Sequence, residues 1–143
     1  MDPATAFEEI VAQAPVSIIV ADREGTIRLW NLGSAELFGY TASEVLGKSL
    51  DVIIPEHLRK AHWDGFDQAL ASGRTKYAGR VMTTRAVHKD GRRLYVDFSF
   101  AMVKDAGGGV IGAMAVARDA TERYLAERET RAKLAALGKP GAG

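Results

Sequence analysis

The chain has 143 residues, 47% apolar and 26% charged, with a formal net charge of +1 and no cysteine. That length suits one domain with a core of its own, and the even mixture of signs argues against nucleic acid or an acidic membrane as partner. The missing thiol removes disulfides, thiolate metal sites and cysteine nucleophiles, and fits a cytoplasmic setting.

The opening "MDPATAFEEI" is acidic and lacks the apolar run of a secretory signal, and no later apolar run nears the ~20 residues of a membrane span. Phe7, Ile10, Val11 and Ala14 recur at helical spacing before Pro15, which predicts a short cap helix over residues 1–14. "VSIIVAD" and "TIRLWN", separated by "REG", read as a hairpin. Asn31 and Ser34 can cap a short helix "AELFGY", and Thr41 a second, "ASEVLG". Pro55 then precedes the helix "RKAHWDGFDQALASG", which stops at Gly73. Three strands are predicted to follow: "KYAGRVMTTRAVH", "RRLYVDFSFAMV" and "VIGAMAVAR", joined by "KDG" and "KDAGGG" turns. In the middle one, Leu94, Val96, Phe98, Phe100 and Met102 alternate with Arg93, Tyr95, Asp97 and Ser99, so one face is expected in the core and the other in water. The helix over 121–137 carries a thin seam of Leu125, Ala132 and Ala136, and "GKPGAG", 138–143, reads as a flexible tail. Strands grouped apart from helices predict an α+β domain, a five-stranded antiparallel sheet with helices on one face, its core over residues 15–120.

Asn31, "LFGY" at 37–40, Glu44 with Gly47, "KDG" at 89–91 and "RDATER" at 118–123 together resemble a PAS domain, over roughly residues 6–123. The resemblance implies a sensory module rather than an enzyme, enclosing a ligand and relaying its signal through the C-terminal helix to an output domain. Photoreceptor branches that need a cysteine at their chromophore are excluded by its absence. "PEHLRKAH" at 55–62 resembles the segment of FixL-type oxygen sensors whose histidine binds haem iron, and His62 falls on that histidine.

The residues of this helix permit two readings. Leu58, Ala61, Gly65, Phe66, Ala69 and Leu70 form one apolar face, with His62 in its middle. A buried imidazole costs about 1–3 kcal/mol unless something satisfies it. Iron does so, and so does a backbone carbonyl in an ordinary core. Gly65, costly in mid-helix, leaves room either for a flat ring or for a crossing strand.

The same resemblance implies that haem b is lined by Gly65, Phe66, Phe98, Phe100 and Ala115, with Arg74 and Lys76 near its propionates. Gln68 stands where the oxygen sensors carry a propionate-pairing arginine. The arginine that hydrogen-bonds the gas falls on Arg80 by local motif. Counting from His62 instead gives Met82, which would leave that side apolar. A two-residue shift preserves strand parity, so both are expected on the pocket side. A solvated surface residue is the alternative for Arg80. Trp63 is expected to point partly away from the pocket.

"GGGVIG" at 107–112 matches a dinucleotide fingerprint, but its glycines lead into a strand rather than a helix, so it reads as a hairpin turn. Histidines 57, 62 and 88 show no zinc spacing. The expected function is therefore a haem sensor of a diatomic gas, most simply oxygen, dimerising through its terminal helices. The alternatives are a cofactor-free dimerisation or metabolite-binding module and a non-covalent flavin redox sensor.

Overall fold

The computed structural model describes residues 1–138. Five strands, β1 (Ser17–Asp22), β2 (Ile27–Trp30), β3 (Met82–Val87), β4 (Arg93–Lys104) and β5 (Val110–Asp119), form one sheet in the order β2-β1-β5-β4-β3. Every pairing is antiparallel. The helices are α1 (Pro3–Gln13), α2 (Leu32–Phe38), α3 (Ala42–Val45), α4 (Arg59–Ser72) and α5 (Thr121–Gly138). Two 3₁₀ turns, Leu50–Ile53 and Glu56–Leu58, lead into α4. The α+β class and the five antiparallel strands are as expected. Of the expected tail, Gly138 closes α5 and residues 139–143 lie outside the described residues.

Strand register sets the inner face. Ser17, Ala117, Phe98 and Met82 share one cross-strand row, Ile19, Ala115 and Phe100 the next, and Ala21, Ala113 and Met102 the third. Over this face Ile27, Phe38, Val45 and Val96 are wholly buried. The "GGGVIG" glycines form the β4–β5 turn, where Asp105 Oδ1 accepts from the amides of Gly107 and Gly109 at 3.0 and 2.9 Å.

Asn31 ties three elements together. Its Oδ1 accepts from the amides of Ile18 (2.9 Å) and Ser34 (3.0 Å), and its Nδ2 donates to the carbonyls of Val11 and Val16, both at 2.9 Å. It thereby starts α2 three residues earlier than "AELFGY" suggests. Glu44 closes a second knot. It accepts from the Thr41 amide at 2.9 Å and from Lys89 Nζ at 2.5 Å, while the Lys89 amide donates to Phe38 O at 2.8 Å. Lys89 and the Thr41 amide hold the Glu44 carboxyl down at about 2.

Two expectations are corrected. The strand predicted from Lys76 begins only at Met82, because Ala78 and Arg80 donate back to the carbonyls of Thr75 and Tyr77, and Gly79 takes φ +73°. The outer face is not simply wet. Tyr95 is only 6% exposed and stacks on Tyr124 of α5 at 3.9 Å between ring centroids. Arg123 grips Asp97 through two hydrogen bonds of 2.6 and 2.9 Å. The amide of Ala120 donates to Tyr95 O at 2.8 Å and Thr121 Oγ1 accepts from the Tyr95 amide at 3.0 Å. The root of α5 is thus seated on the sheet face opposite the core.

Replacing Asn31 by alanine leaves several buried backbone groups without partners, each worth about 1–3 kcal/mol. Urea unfolding of Asn31→Ala should show a loss of about 2–4 kcal/mol with an unchanged m-value, and a loss under about 1 kcal/mol would contradict this role for Asn31. Glu44 is depressed in the fold relative to its ordinary 4.5. Its contribution is therefore full above 4.5 and lost as pH falls through about 2. Acid unfolding of Glu44→Gln should have a shallower pH dependence than wild type across that window.

Candidate functional site

Helix α4 begins without a side-chain cap and ends at Gly73, whose φ of +74° and amide bond to Ala69 O close its last turn. Its inward positions are His62, Trp63, Phe66, Ala69 and Leu70, with Phe66 and Ala69 buried. Arg59 anchors the first turn by donating to the carbonyls of Ile54 (3.1 Å) and Asp51 (3.2 Å).

Trp63 points inward, not away. Its Nε1 donates to Asp51 Oδ1 at 2.8 Å, and its ring lies against Gly25 in the β1–β2 turn. A Cβ on Gly25 would fall 2.2 Å from Trp63 Cη2, and Gly25 has φ +79°. Only glycine suits both demands. The large indole therefore sets the rotation of α4, and the face inferred from apolar residues alone is turned. Ala61 and Gly65 face solvent, and a Cβ on Gly65 would meet nothing within 4 Å.

His62 is half-buried. Its ring sits 4.6 Å from Trp63, edge to face, and 6.2 Å from Phe66. Its Nδ1 is shielded from solvent and has no hydrogen-bond partner. Burial pushes the imidazole below its ordinary 6.5, with nearby Asp51 opposing. The ring is consequently neutral at pH 7.

Helix α4 passes from the Gly25 turn toward the start of β5, where a Cβ on Gly73 would come 3.8 Å from Val110. On the inner sheet face the rows nearest this end are only half-buried: Phe100 with Ala115, and Met102 with Ala113. Phe98 is buried and stacks on Phe100 at 5.4 Å. Met82, half-buried, lies opposite Phe98. The parity expected to put Arg80 and Met82 on one face is not realised, since Arg80 is exposed on the turn before β3. Arg74 and Lys76 are exposed beyond the end of α4. A surface hollow of about 720 Å³ borders α1, from Asp2 to Pro15, away from His62. The structure thus brings Phe98, Phe100, Ala115 and Met82 onto one face, sets His62 and Phe66 on the inward side of α4, and leaves Gly65, Arg74, Lys76 and Arg80 in solvent. Asp51 and Gly25 were missed by sequence reasoning. Gly25's one signal is the "REG" turn, which cannot name the indole that fills it.

A family model described as PAS fold matches residues 11–125. The chain belongs to this family. The PAS domain is 24% identical over 131 residues to the oxygen sensor protein DosP of Escherichia coli, covering 92% of this chain and 16% of DosP. It is 27% identical over 139 residues to the sensor protein FixL of Bradyrhizobium diazoefficiens, covering 93% of this chain and 25% of FixL. It therefore spans a quarter or less of these relatives. Among solved structures, the PAS domain of a Colwellia psychrerythraea protein superposes with a TM-score of 0.74 at 21% identity, covering 85% of this chain and 99% of that one. An RNA-binding light-oxygen-voltage receptor does so with 0.73 at 24% identity, covering 94% and 38%. These likenesses establish the fold. A PAS domain is a sensory module, not a catalyst.

Because the folded His62 is depressed, the unfolded chain takes up the proton first. The stability it contributes is full above 6.5 and falls as pH drops below that value. NMR titration of the PAS domain should place His62 below 6.5, and Asp51→Asn should move it lower still. A value at or above 6.5 would show the ring to be solvated.

Proposed function

We propose that this PAS domain senses a diatomic gas, most simply oxygen, on haem b held by His62. The observation that carries the reading is the shielded Nδ1 of His62 without a hydrogen-bond partner, on a ring kept neutral by burial. A neutral imidazole is a suitable iron ligand. Among the described residues no three metal-binding side chains converge, so a metal here has to bring most of its ligands, as a porphyrin does. The half-buried apolar rows of Phe100, Ala115, Met102 and Ala113 fit a flat apolar macrocycle. Arg74 and Lys76, exposed beyond α4, are the cations that would be offered to propionates. The likeness to an oxygen sensor protein points the same way.

Haem, when bound, supplies the iron at which a gas is sensed. The chain's own part is to hold that iron through His62, to fix the ring with Trp63 and to keep water out with Phe66, Phe98 and Phe100. With Met82 rather than Arg80 on the inner face, the gas side is apolar and offers no charged donor. Helices α1 and α5 are read as the surfaces of a homodimer, since Phe7, Ile10, Leu125, Leu134 and Leu137 are all exposed. Helix α5 is the route to an output domain, and a cytoplasmic setting completes the reading; no helix among the described residues is long and apolar enough to cross a membrane. Those same exposed residues favour, as a second reading, a cofactor-free dimerisation module.

Titration of the purified chain with haemin should give a sharp Soret band that His62→Ala abolishes while its circular dichroism stays native. Absence of a band from wild type, or an equal band from His62→Ala, refutes the haem reading and leaves the cofactor-free module.

A further inference from the structure

We infer that the outer face of the sheet, where β3, β4 and α5 meet, is a binding site for a phosphoryl group, made by Arg85, Arg93 and Arg128 around the hydroxyl of Tyr95. Register brings them together. Arg85 of β3 is paired directly with Tyr95 of β4, and Arg93 lies two residues before Tyr95 on the same strand face. Tyr124 stacks on Tyr95 at 3.9 Å with ring planes 15° apart. Arg128 follows Tyr124 by one helical turn, on the same side of α5. The Arg93 guanidinium beside the phenol holds Tyr95 below its ordinary 10.0 against the effect of burial, and Arg128 and Arg85 add to it. Register, strand parity and helix spacing thus set the three side chains on one face around one tyrosine.

None of the three arginines has a carboxylate within 4.0 Å among the described residues, although Arg28, Arg59, Arg92 and Arg123 each do. The neighbouring rung shows the contrast. There Thr83 faces Asp97, and Asp97 takes both hydrogen bonds of Arg123. One rung on, at Arg85 and Tyr95, there is no acid. Arg85 is half-buried, its Nε is shielded and unpartnered, and its Nη1 has only the imidazole of His57, 3.5 Å away. Leaving a partly desolvated guanidinium fork without an anion is unfavourable.

The charge of the site selects its ligand. A single carboxylate would leave two of three positive charges unmatched. A phosphoryl group carries about −1.5 to −2 near neutral pH and offers three acceptor oxygens, one for each guanidinium. Arginine is the side chain whose planar fork matches this geometry. A phosphoryl group held here bridges β3, β4 and α5, and so fastens the second turn of α5 to the sheet. Free phosphate and the terminal group of a nucleotide share this chemistry.

The test is titration of the ¹⁵N-labelled chain with inorganic phosphate against sodium chloride at matched ionic strength. Saturable shifts are expected, centred on the amides of Arg85, Arg93, Tyr95 and Arg128. The variants Arg93→Gln and Arg128→Gln, both at exposed positions and checked for native circular dichroism, should each weaken binding about tenfold, the loss of one charge-assisted bond. His62→Ala should bind phosphate as wild type does, which separates this site from the haem reading. Adenosine triphosphate binding more tightly than phosphate would identify a nucleotide as the source, and equal or weaker binding the free ion. Shifts that chloride reproduces, or that persist unchanged in both arginine variants, overturn the proposal.

Discussion

The contact on which the site depends is the indole of Trp63 laid against Gly25. A helix crossing the end of a sheet can rotate about its axis with little change in buried area, so apolar patterning alone leaves its register loose. Here the Nε1 bond to Asp51 and the absence of a Cβ at Gly25 remove that freedom. Any side chain on Gly25 would lift the indole and, with it, the first turns of α4. His62 is the next residue along, so its half-buried position is a consequence of the indole's seat rather than of its own packing. Its Nδ1 forms no hydrogen bond of its own that would hold it there.

The inner and outer faces of β4 and β5 do different work with alternate residues. Small side chains, Ala113, Ala115 and Ala117, line the inner face of β5, with Ala117 in the core and Ala115 packed against it. The outer face carries Tyr95 and Asp97 at one end of β4 and the apolar Ala101, Val103, Met114 and Val116 farther along. One strand hosts both patterns because its side-chain period is two, which is why Leu94, Val96 and Phe98 can be core while Tyr95 and Asp97 hold the root of α5.

Much of the fold is legible in the sequence, and for identifiable reasons. Strict alternation from Arg93 to Met102 could only be a strand with one face inward. The "KDG" and "DAGGG" turns fix the hairpins, and Asn31 fixes the start of α2. The start of β3 was illegible because Thr75 to Arg80 form turns through their own backbone, which no side-chain period records. The face of α4 was misread because Ala61 and Gly65 count as apolar yet face solvent, whereas Trp63, with one polar atom, packs inward against Gly25. The arginines of the outer face were legible only as solvated charges. What makes them a cluster is the pairing of Arg85 with Tyr95 and the return of α5, both of them long-range.

The placement of α5 would make the sheet a lever between the two proposed sites. Ala120, at the junction of β5 and α5, is buried and donates to the carbonyl of Tyr95, while Thr121 holds the Tyr95 amide. The backbone of Tyr95 is in turn flanked by Leu94 and Val96, both in the core. A shift of the inner rows cannot pass Val96 without moving this backbone, because close-packed cores transmit displacement rather than absorb it. The same backbone positions the phenol around which Arg85, Arg93 and Arg128 gather. A ligand on the inner face and an anion on the outer face, as proposed, would therefore act on one short stretch of β4 from opposite sides. If each favours a different setting of that stretch, their affinities are coupled, and the coupling is reciprocal.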